Sequence, residues 1–577
     1  MNTPIRSAYF NALLADASYV EGLEEGDSGQ RLADKLTREL TDRLAKSVGN
    51  EFTVVTQFTD PGGTGFSVTV FADSSGTRYI SFRGTELGAN DWLTDFDAFF
   101  NSGAARTQII AMVNWYLRAS TPASMETVQM LQTPIVDSLT GEVLARTIMV
   151  QGEGTLPVAG NFMVNGHSLG GHLTTIFSRL FNSRVTSSYT YNGLGVGQNF
   201  PESFTAEIET TLGLGATSWA AVDAKQKNYY AEHGISVATT DWWLRQRGER
   251  IPVFNEEETG ISNHLMYKLT DTLALYDVLG TLDGGLSLAS ATAILKAASA
   301  NAPASLESVL DSLRRLYGDS DPTPTLVGDA SGTALSRADF HSKLADLRAT
   351  IGSSPSTTVA ALVGMSTTEL VTRGQATNGL AYRYALRELN PFAILGPDSL
   401  YDGSGSIPSH NPNGELNLYN PASGLGLTDK WLEARARFLD ARMRYNAADG
   451  DLPAGTINDY FEDQRLGVVL GPVAGNPSRT IFAADSQPGP VVGFGGDDFL
   501  FGGAGADTID GEAGIDYIEG GGGRDQIDAG GGNDTVFGLD GTGGDVLKGG
   551  AGYDRIYADW GDDVADDPEA SGGGVVY

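Results

Sequence analysis

The chain has 577 residues, 72 Asp+Glu against 38 Lys+Arg, 74 glycines and no cysteine. That length predicts more than one compact unit, and a hydrophobic fraction of 41% is ample for a core, which excludes wholesale disorder. A net charge of −34 argues against nucleic acid as a partner, and the lack of cysteine excludes disulfides, thiolate zinc sites and a cysteine nucleophile.

In chain order, the first segment, MNTPIRSAYFNALLADASYVEG, lacks the apolar centre of a secretory leader, and no apolar run of 18 residues occurs to span a membrane. Arg78–Phe82 (RYISF) reads as a strand running into Arg83-Gly84-Thr85. Asn161–Asn165 (NFMVN) reads as a short buried strand and Leu169–Phe181 as a helix, with Gly166-His167-Ser168-Leu169-Gly170 between them. G-x-S-x-G is a weak signal alone. Strand–turn–helix is the context that holds a serine on a strained elbow with its Oγ exposed, and glycines stand where a side chain would collide across the turn. Ser168 is therefore the candidate nucleophile, and the amide of Leu169 the first oxyanion donor.

A serine nucleophile needs a histidine base, and the chain holds six histidines. His167 and His172 flank the serine on its own turn and helix, a poor geometry for reaching Oγ, and His341 and His410 lie where no strand is expected. His233 and His264 are left. His264 follows the expected strand Ile251–Phe254 and a loop, and opens the helix HLMYKLTDTLALYDVLG. The orienting acid should follow a late strand before the histidine. Glu232 follows Asn228–Ala231, Asp241 follows Ile235–Thr239, and Asp223 precedes its strand and so sits at the wrong end.

The stretch YISFRGTELGANDWLTDFDAFF resembles the FRGT…DW…D segment of class 3 lipases. The resemblance implies an α/β hydrolase core over residues 1–281 and a second oxyanion donor at the backbone of Thr85. Asp91, Trp92 and Asp95 match as well, although a helix start and packing suit them equally. The start of the helix at His264 resembles the catalytic segment of RTX lipases, which implies His264 as base. Lipases of this type place their acid where Glu232 stands, usually in N-D-P-V; here the residues are Glu-His-Gly-Ile, so Asp241 stays the alternative.

Residues 282–446 show helical periodicity with charged outer faces and read as a mostly helical cap or insertion, either an interfacial lid or an ordinary scaffold. Residues 447–490 read as a connecting segment, with Pro472–Pro490 the linker into the tail.

The tail, 491–577, holds 26 of the 74 glycines and 19 Asp+Glu against 3 Lys+Arg. It is periodic. Asp498, Asp507, Asp516, Asp525 and Asp534 recur every nine residues, Asp545 and Asp554 repeat the interval, and only the step between the two sets is irregular. The units GFGGDDFLF, GGAGADTID, GEAGIDYIE, GGGGRDQID, AGGGNDTVF and GGAGYDRIY approximate G-G-x-G-x-D-x-U-x, with U at Leu500, Ile509, Ile518, Ile527, Val536 and Ile556. This is the nonapeptide pattern of calcium-binding parallel β-rolls. Glycines such as Gly502, Gly505, Gly511, Gly514, Gly520 and Gly523 permit tight turns that leave carbonyls free to face a cation, and Asp adds the hard charged oxygen that Ca²⁺ prefers. With two nonapeptides per coil, Asp498, Asp516 and Asp534 stack on one side and Asp507 and Asp525 on the other. Without calcium these rows repel, so the tail is expected to order only with the ion.

The repeats resemble those of RTX proteins, which implies export through type I secretion machinery and calcium-driven folding outside the cell. In that family the export signal lies beyond the repeats; here GGGVVY follows them closely, so a truncated C-terminus is the expectation. An RTX metalloprotease is excluded because H-E-x-x-H is absent. The combined expectation is a secreted, calcium-dependent, monomeric lipase or phospholipase A1 acting on lipid esters at a lipid–water interface. The alternative is an RTX adhesin or toxin module with a non-catalytic hydrolase-like scaffold.

Overall fold

The computed structural model describes residues 4–84, 104–136, 143–197, 202–215, 217–232, 244–255, 261–301, 304–319, 323–327, 334–352, 356–403, 407–421, 425–485, 490–540, 544–565 and 574–577. Strands rich in β-branched and aromatic residues build a seven-stranded sheet in the first of two units, which comprises residues 1–288, 302–310 and 324–352. Phe52–Thr59 (β1), Ser67–Asp73 (β2) and Arg78–Phe82 (β3) form an antiparallel meander. Glu126–Val136 (β4) and Val143–Gln151 (β5) form a separate hairpin. Phe162–His167 (β6), Val185–Tyr191 (β7), Gln226–Ala231 (β9) and Glu249–Val253 (β11) then extend the sheet in parallel, while Val196–Gly197 (β8) pairs with Leu244–Arg245 (β10). The order is β1-β2-β3-β6-β7-β9-β11.

Helices cover both faces, and the period-2 alternation of the strands decides which side chain meets which helix. Ile80, Phe82, Phe162, Val164 and Val185 enter one core with Ile109 and Trp115 of the helix Ala104–Ser120 and Ile176 and Phe177 of the helix Leu169–Leu180. The intervening positions face the helix Pro4–Ala17: Asn165 Nδ2 donates to Asn11 Oδ1 (3.0 Å), and Tyr191 Oη donates to Ala8 O (2.6 Å). Pro4–Ala17 packs along the helix Met266–Leu282, which is buried almost all round. That pairing brings the residues just after the first helix and just before the second to the C-terminal ends of the parallel strands, where ligands bind in open α/β sheets.

The helical stretch 282–446 is divided between the units rather than standing apart. Within the first unit the helix Ala334–Ile351 is tied to Met266–Leu282 by charge. Arg337 grips Asp271 with two nitrogens at 2.7 Å, His341 Nε2 meets the same carboxylate at 2.7 Å, and Arg348 reaches Asp277 at 2.7 Å. The Asp271 carboxyl is buried, which alone would raise its pKa, yet the Arg337 and His341 beside it hold it well below the usual carboxylate range.

The second unit comprises residues 289–301, 311–323 and 353–577. Thr358–Ala361 (β12) and Phe392–Leu395 (β13) pair antiparallel, with the helices Thr367–Gln375 and Leu380–Glu388 between them in the chain. The sheet of the tail begins upstream of residue 491, inside the stretch read as a connection. Tyr460–Asp463 (β14), Val468–Leu470 (β15) and Arg479–Phe482 (β16) precede Val491–Val492 (β17), and β16 pairs in parallel with Phe499–Phe501 (β18). Thr508–Asp510 (β19), Tyr517–Glu519 (β20), Gln526–Asp528 (β21), Thr535–Phe537 (β22), Val546–Lys548 (β23), Arg555–Tyr557 (β24), Asp563–Ala565 (β25) and Val575–Val576 (β26) follow. They alternate between two sheets, β15-β14-β16-β18-β20-β22-β24-β26 and β17-β19-β21-β23-β25, parallel except for the antiparallel pair β14–β15, so two nonapeptides make one coil. The irregular step between Asp534 and Asp545 leaves the pairing intact, with Thr535 opposite Arg555. Among the described residues no helix is long and apolar enough to cross a membrane.

Candidate functional site

Ser168 sits between β6 and the helix Leu169–Leu180 at φ 55 and ψ −122, a positive φ that a non-glycine residue adopts only when its surroundings compel it. The compulsion is visible in the backbone. Ser168 N donates to Tyr191 O (3.1 Å), and Ser168 O accepts from Gly171 N (3.0 Å) and Leu194 N (3.0 Å). A Cβ on Gly170 would lie inside contact distance of Phe82 O, and one on Gly166 would collide with Gly170 O. Gly170→Ala should therefore push the helix off β3 and destabilise the unit by about 1–3 kcal/mol. A thermal midpoint unchanged within a degree would show that the contact yields freely.

The histidines sort by what their ring nitrogens touch. His264 Nε2 lies 2.9 Å from Ser168 Oγ, across 96 residues of sequence. His264 ends a single 3₁₀ turn, Ile261–His264, ahead of the helix Met266–Leu282. Burial first, and the neighbouring His167 ring second, push it down to about 3, which keeps the imidazole in the neutral form that accepts a proton. His167 faces away from Oγ; its Nε2 is 2.7 Å from His264 O and its Nδ1 2.8 Å from Tyr19 Oη. His172 Nδ1 meets Gly195 O (3.0 Å), and His410 Nε2 meets Leu316 O (3.0 Å).

Leu169 opens its helix, so its amide is among the first four N–H groups, which have no partner within a helix, and it lies beside the serine. Glu232 directly follows β9, where its N–H donates to Val253 O (3.0 Å). Among the described residues no hydrogen bond joins Glu232 to the His264 ring. Asp241, Thr85, His233, Asp91, Trp92 and Asp95 lie outside the described residues. Two residues that sequence reasoning passed over join the site: Tyr19, after the first helix, and Asn192, at φ 42 after β7. Asn192 Nδ2 donates to Asn263 O (3.0 Å) and His264 O (3.2 Å), while its Oδ1 accepts from Ala231 N (2.9 Å). Only Asn192 carried a local signal, as the polar residue of YNGLG at a strand end.

In the tail, Leu500, Ile509, Ile518, Ile527, Val536, Leu547 and Ile556 point inward and are at most 1% exposed. One buried aliphatic per nonapeptide, about 1.5–3 kcal/mol, is small against the cost of ordering nine residues. The repeat carboxylates form two ladders. Asp498 N donates to Asp516 Oδ1 (2.9 Å), Asp516 N to Asp534 Oδ1 (2.8 Å) and Asp534 N to Asp554 Oδ1 (2.9 Å). Asp507 N donates to Asp525 Oδ1 and Asp525 N to Asp545 Oδ1, both at 2.8 Å. Among the described residues no hydrogen-bond donor meets the buried second oxygen of Asp498, Asp516, Asp525, Asp534 or Asp545. Buried oxygens without donors are costly unless a cation meets them.

Burial accordingly raises Asp498, Asp516, Asp525 and Asp534 to about 7 and Asp545 to about 6. Cβ atoms on Gly511 and Gly520 would lie 2.7 and 2.5 Å from the second oxygens of Asp516 and Asp525, so glycine keeps the space beside each carboxylate open. Among the described residues no three His, Asp or Glu side chains converge into a metal cage; a hard cation also accepts main-chain carbonyl and water oxygens.

The chain matches no curated protein. Residues 492–527, 510–543 and 540–566 match the family of the RTX calcium-binding nonapeptide repeat (4 copies). The tail thus carries repeats that bind calcium ions and that are typical of proteins exported by type I secretion.

Proposed function

We propose that the chain is a calcium-dependent serine hydrolase of lipid esters, a lipase or phospholipase A1, with an α/β hydrolase core in its first unit. The observation that carries this reading is Ser168 Oγ, on a positive-φ elbow at the end of a parallel strand, 2.9 Å from His264 Nε2. Ser168 Oγ attacks the acyl carbon while its proton passes to His264. The oxyanion is met by the Leu169 amide and, by the class 3 lipase resemblance, by that of Thr85. His264 returns the proton to the leaving alcohol, and water activated by the same ring releases the acid. Glu232 or Asp241 orients the imidazole.

Lipid as the substrate class is supported by apolar side chains around the hairpin β4–β5. Met125, Ile135, Val136, Val143, Ile148 and Met149 are all exposed there, more than a soluble surface needs. Secretion, and work as a monomer at a lipid–water interface, belong to the same proposal. A fluorophosphonate probe tests it. Wild type should gain one adduct on the peptide holding Ser168 and hydrolyse p-nitrophenyl esters, and Ser168→Ala should do neither. A wild type that gains no adduct and hydrolyses no faster than Ser168→Ala would sink the enzyme reading in favour of a non-catalytic scaffold.

A further inference from the structure

We propose that Tyr19 and His167 are positioning residues for the base His264 and act on its main-chain carbonyl, an inference that rests on the hydrolase reading. The direction of each hydrogen bond follows from what the atoms can do. A carbonyl only accepts, so His167 Nε2, 2.7 Å from His264 O, must carry the hydrogen. His167 is 6% exposed, and burial lowers its pKa to about 4, so the ring is neutral and its Nδ1 is an acceptor. Tyr19 Oη, 2.8 Å away, must then be the donor, and burial holds that phenol protonated. The chain runs one way, from the Tyr19 hydroxyl to His167 Nδ1 and from His167 Nε2–H to His264 O.

Two further features give the chain a purpose. His264 stands on a lone 3₁₀ turn, which fixes the direction of a side chain poorly, and its carbonyl receives a second donor in Asn192 Nδ2 at 3.2 Å. His167 also precedes the nucleophile on the last residue of β6. Its ring therefore refers the backbone of the base to the strand that carries Ser168, so Oγ and Nε2 share one frame. Gly84 leaves the room this requires, because a Cβ there would lie 2.5 Å from Tyr19 Oη and 2.7 Å from His167 O. Neither Tyr19 nor His167 touches Oγ, so their effect is on alignment. A misplacement of about 1 Å at such a site can cost on the order of 100-fold in rate.

The test is Tyr19→Phe, which deletes one oxygen, with His167→Ala and His167→Gln beside it in the full calcium-loaded chain. Rates on a soluble p-nitrophenyl ester are divided by active sites titrated with fluorophosphonate, so that a loss of folded protein does not pass as a loss of rate. Tyr19→Phe and His167→Ala should lower kcat per titrated site about 10- to 100-fold with KM within about twofold, and His167→Gln, which keeps a donor, should recover part of it. Nitrogen-15 spectra of the histidines should show His167 as the Nε2–H tautomer. An active wild type with unimpaired Tyr19→Phe, or His167 found as the Nδ1–H tautomer, overturns the positioning role alone. A wild type that neither hydrolyses ester nor takes up the probe overturns the hydrolase reading and the positioning role with it.

Discussion

Chelating calcium from the full chain is expected to release the helix Asp429–Ala447 and the strands β14–β16 together with the nonapeptide coils. The second unit holds these parts in one fabric. β16 pairs with β18 through Ile481 and Leu500, Arg479 N donates to Asp498 Oδ1 (2.6 Å), and Tyr460, Ile481 and Ala483 share the thin core of the coils. Phe482 stacks on Phe501 at 4.7 Å between ring centres, Trp431 and Phe438 of the helix pack on Phe482, and the Arg435 guanidinium lies 4.1 Å from the same ring. Arg435 also reaches Asp463 Oδ2 at 2.5 Å, and Thr428, which caps the helix by accepting from Trp431 N, donates to Glu519 of β20. Loss of the coils would leave a buried guanidinium and an aromatic face without cover.

Hydrogen exchange in EGTA should accelerate at least about tenfold over residues 429–482 as well as 491–565, and reverse with calcium. Protection retained over 429–447 while the repeats exchange freely would refute the coupling. The pH dependence has a definite sign. In the cation-free chain the folded repeat carboxyls titrate near 7, above their unfolded 3.8. Their contribution is fully present below about pH 3.8 and is lost as pH rises through about 7. The loss of β-structure in EGTA should therefore be larger at pH 8 than at pH 5 by circular dichroism.

Replacing His264 by Ala is expected to lower kcat about 10⁴-fold or more, and Ser168→Ala by a similar factor, if the pair works as one unit. The double variant should then be no slower than either single one, because losing either the Ser168 hydroxyl or the His264 base already disables the same step. Additive losses across the double-mutant cycle would mean that Ser168 and His264 act separately, and the 2.9 Å contact would have no catalytic meaning. The comparison belongs at saturating calcium and at pH 8, where the His264 ring is neutral.

Much of the tail was legible in sequence because a repeat writes its geometry into its own period. Nine residues per half-coil bring the repeat Asp and the inward aliphatics into register; beyond the expected aliphatics the buried set of the tail includes Leu547, in the irregular unit, and Val491, Phe501 and Ala529. The elbow was legible for a similar reason, since Gly166 and Gly170 mark close approaches within five residues of Ser168. Strands β14–β16 escaped because they carry no glycine–aspartate period; their pairing is dictated by the edge that the first coil offers.

The sequence by itself determined the composition and the calcium chemistry of the tail, which depends on residues at most a coil apart, and it marked the elbow at Ser168 by Gly166 and Gly170. Only the tertiary structure decided which histidine meets the serine and what holds that histidine in place. Tyr19, His167, Asn192 and His264 come together because the helices Pro4–Ala17 and Met266–Leu282 pack against each other on one face of a parallel sheet. That packing is a sum of many nonlocal contacts. No short window of the chain encodes it.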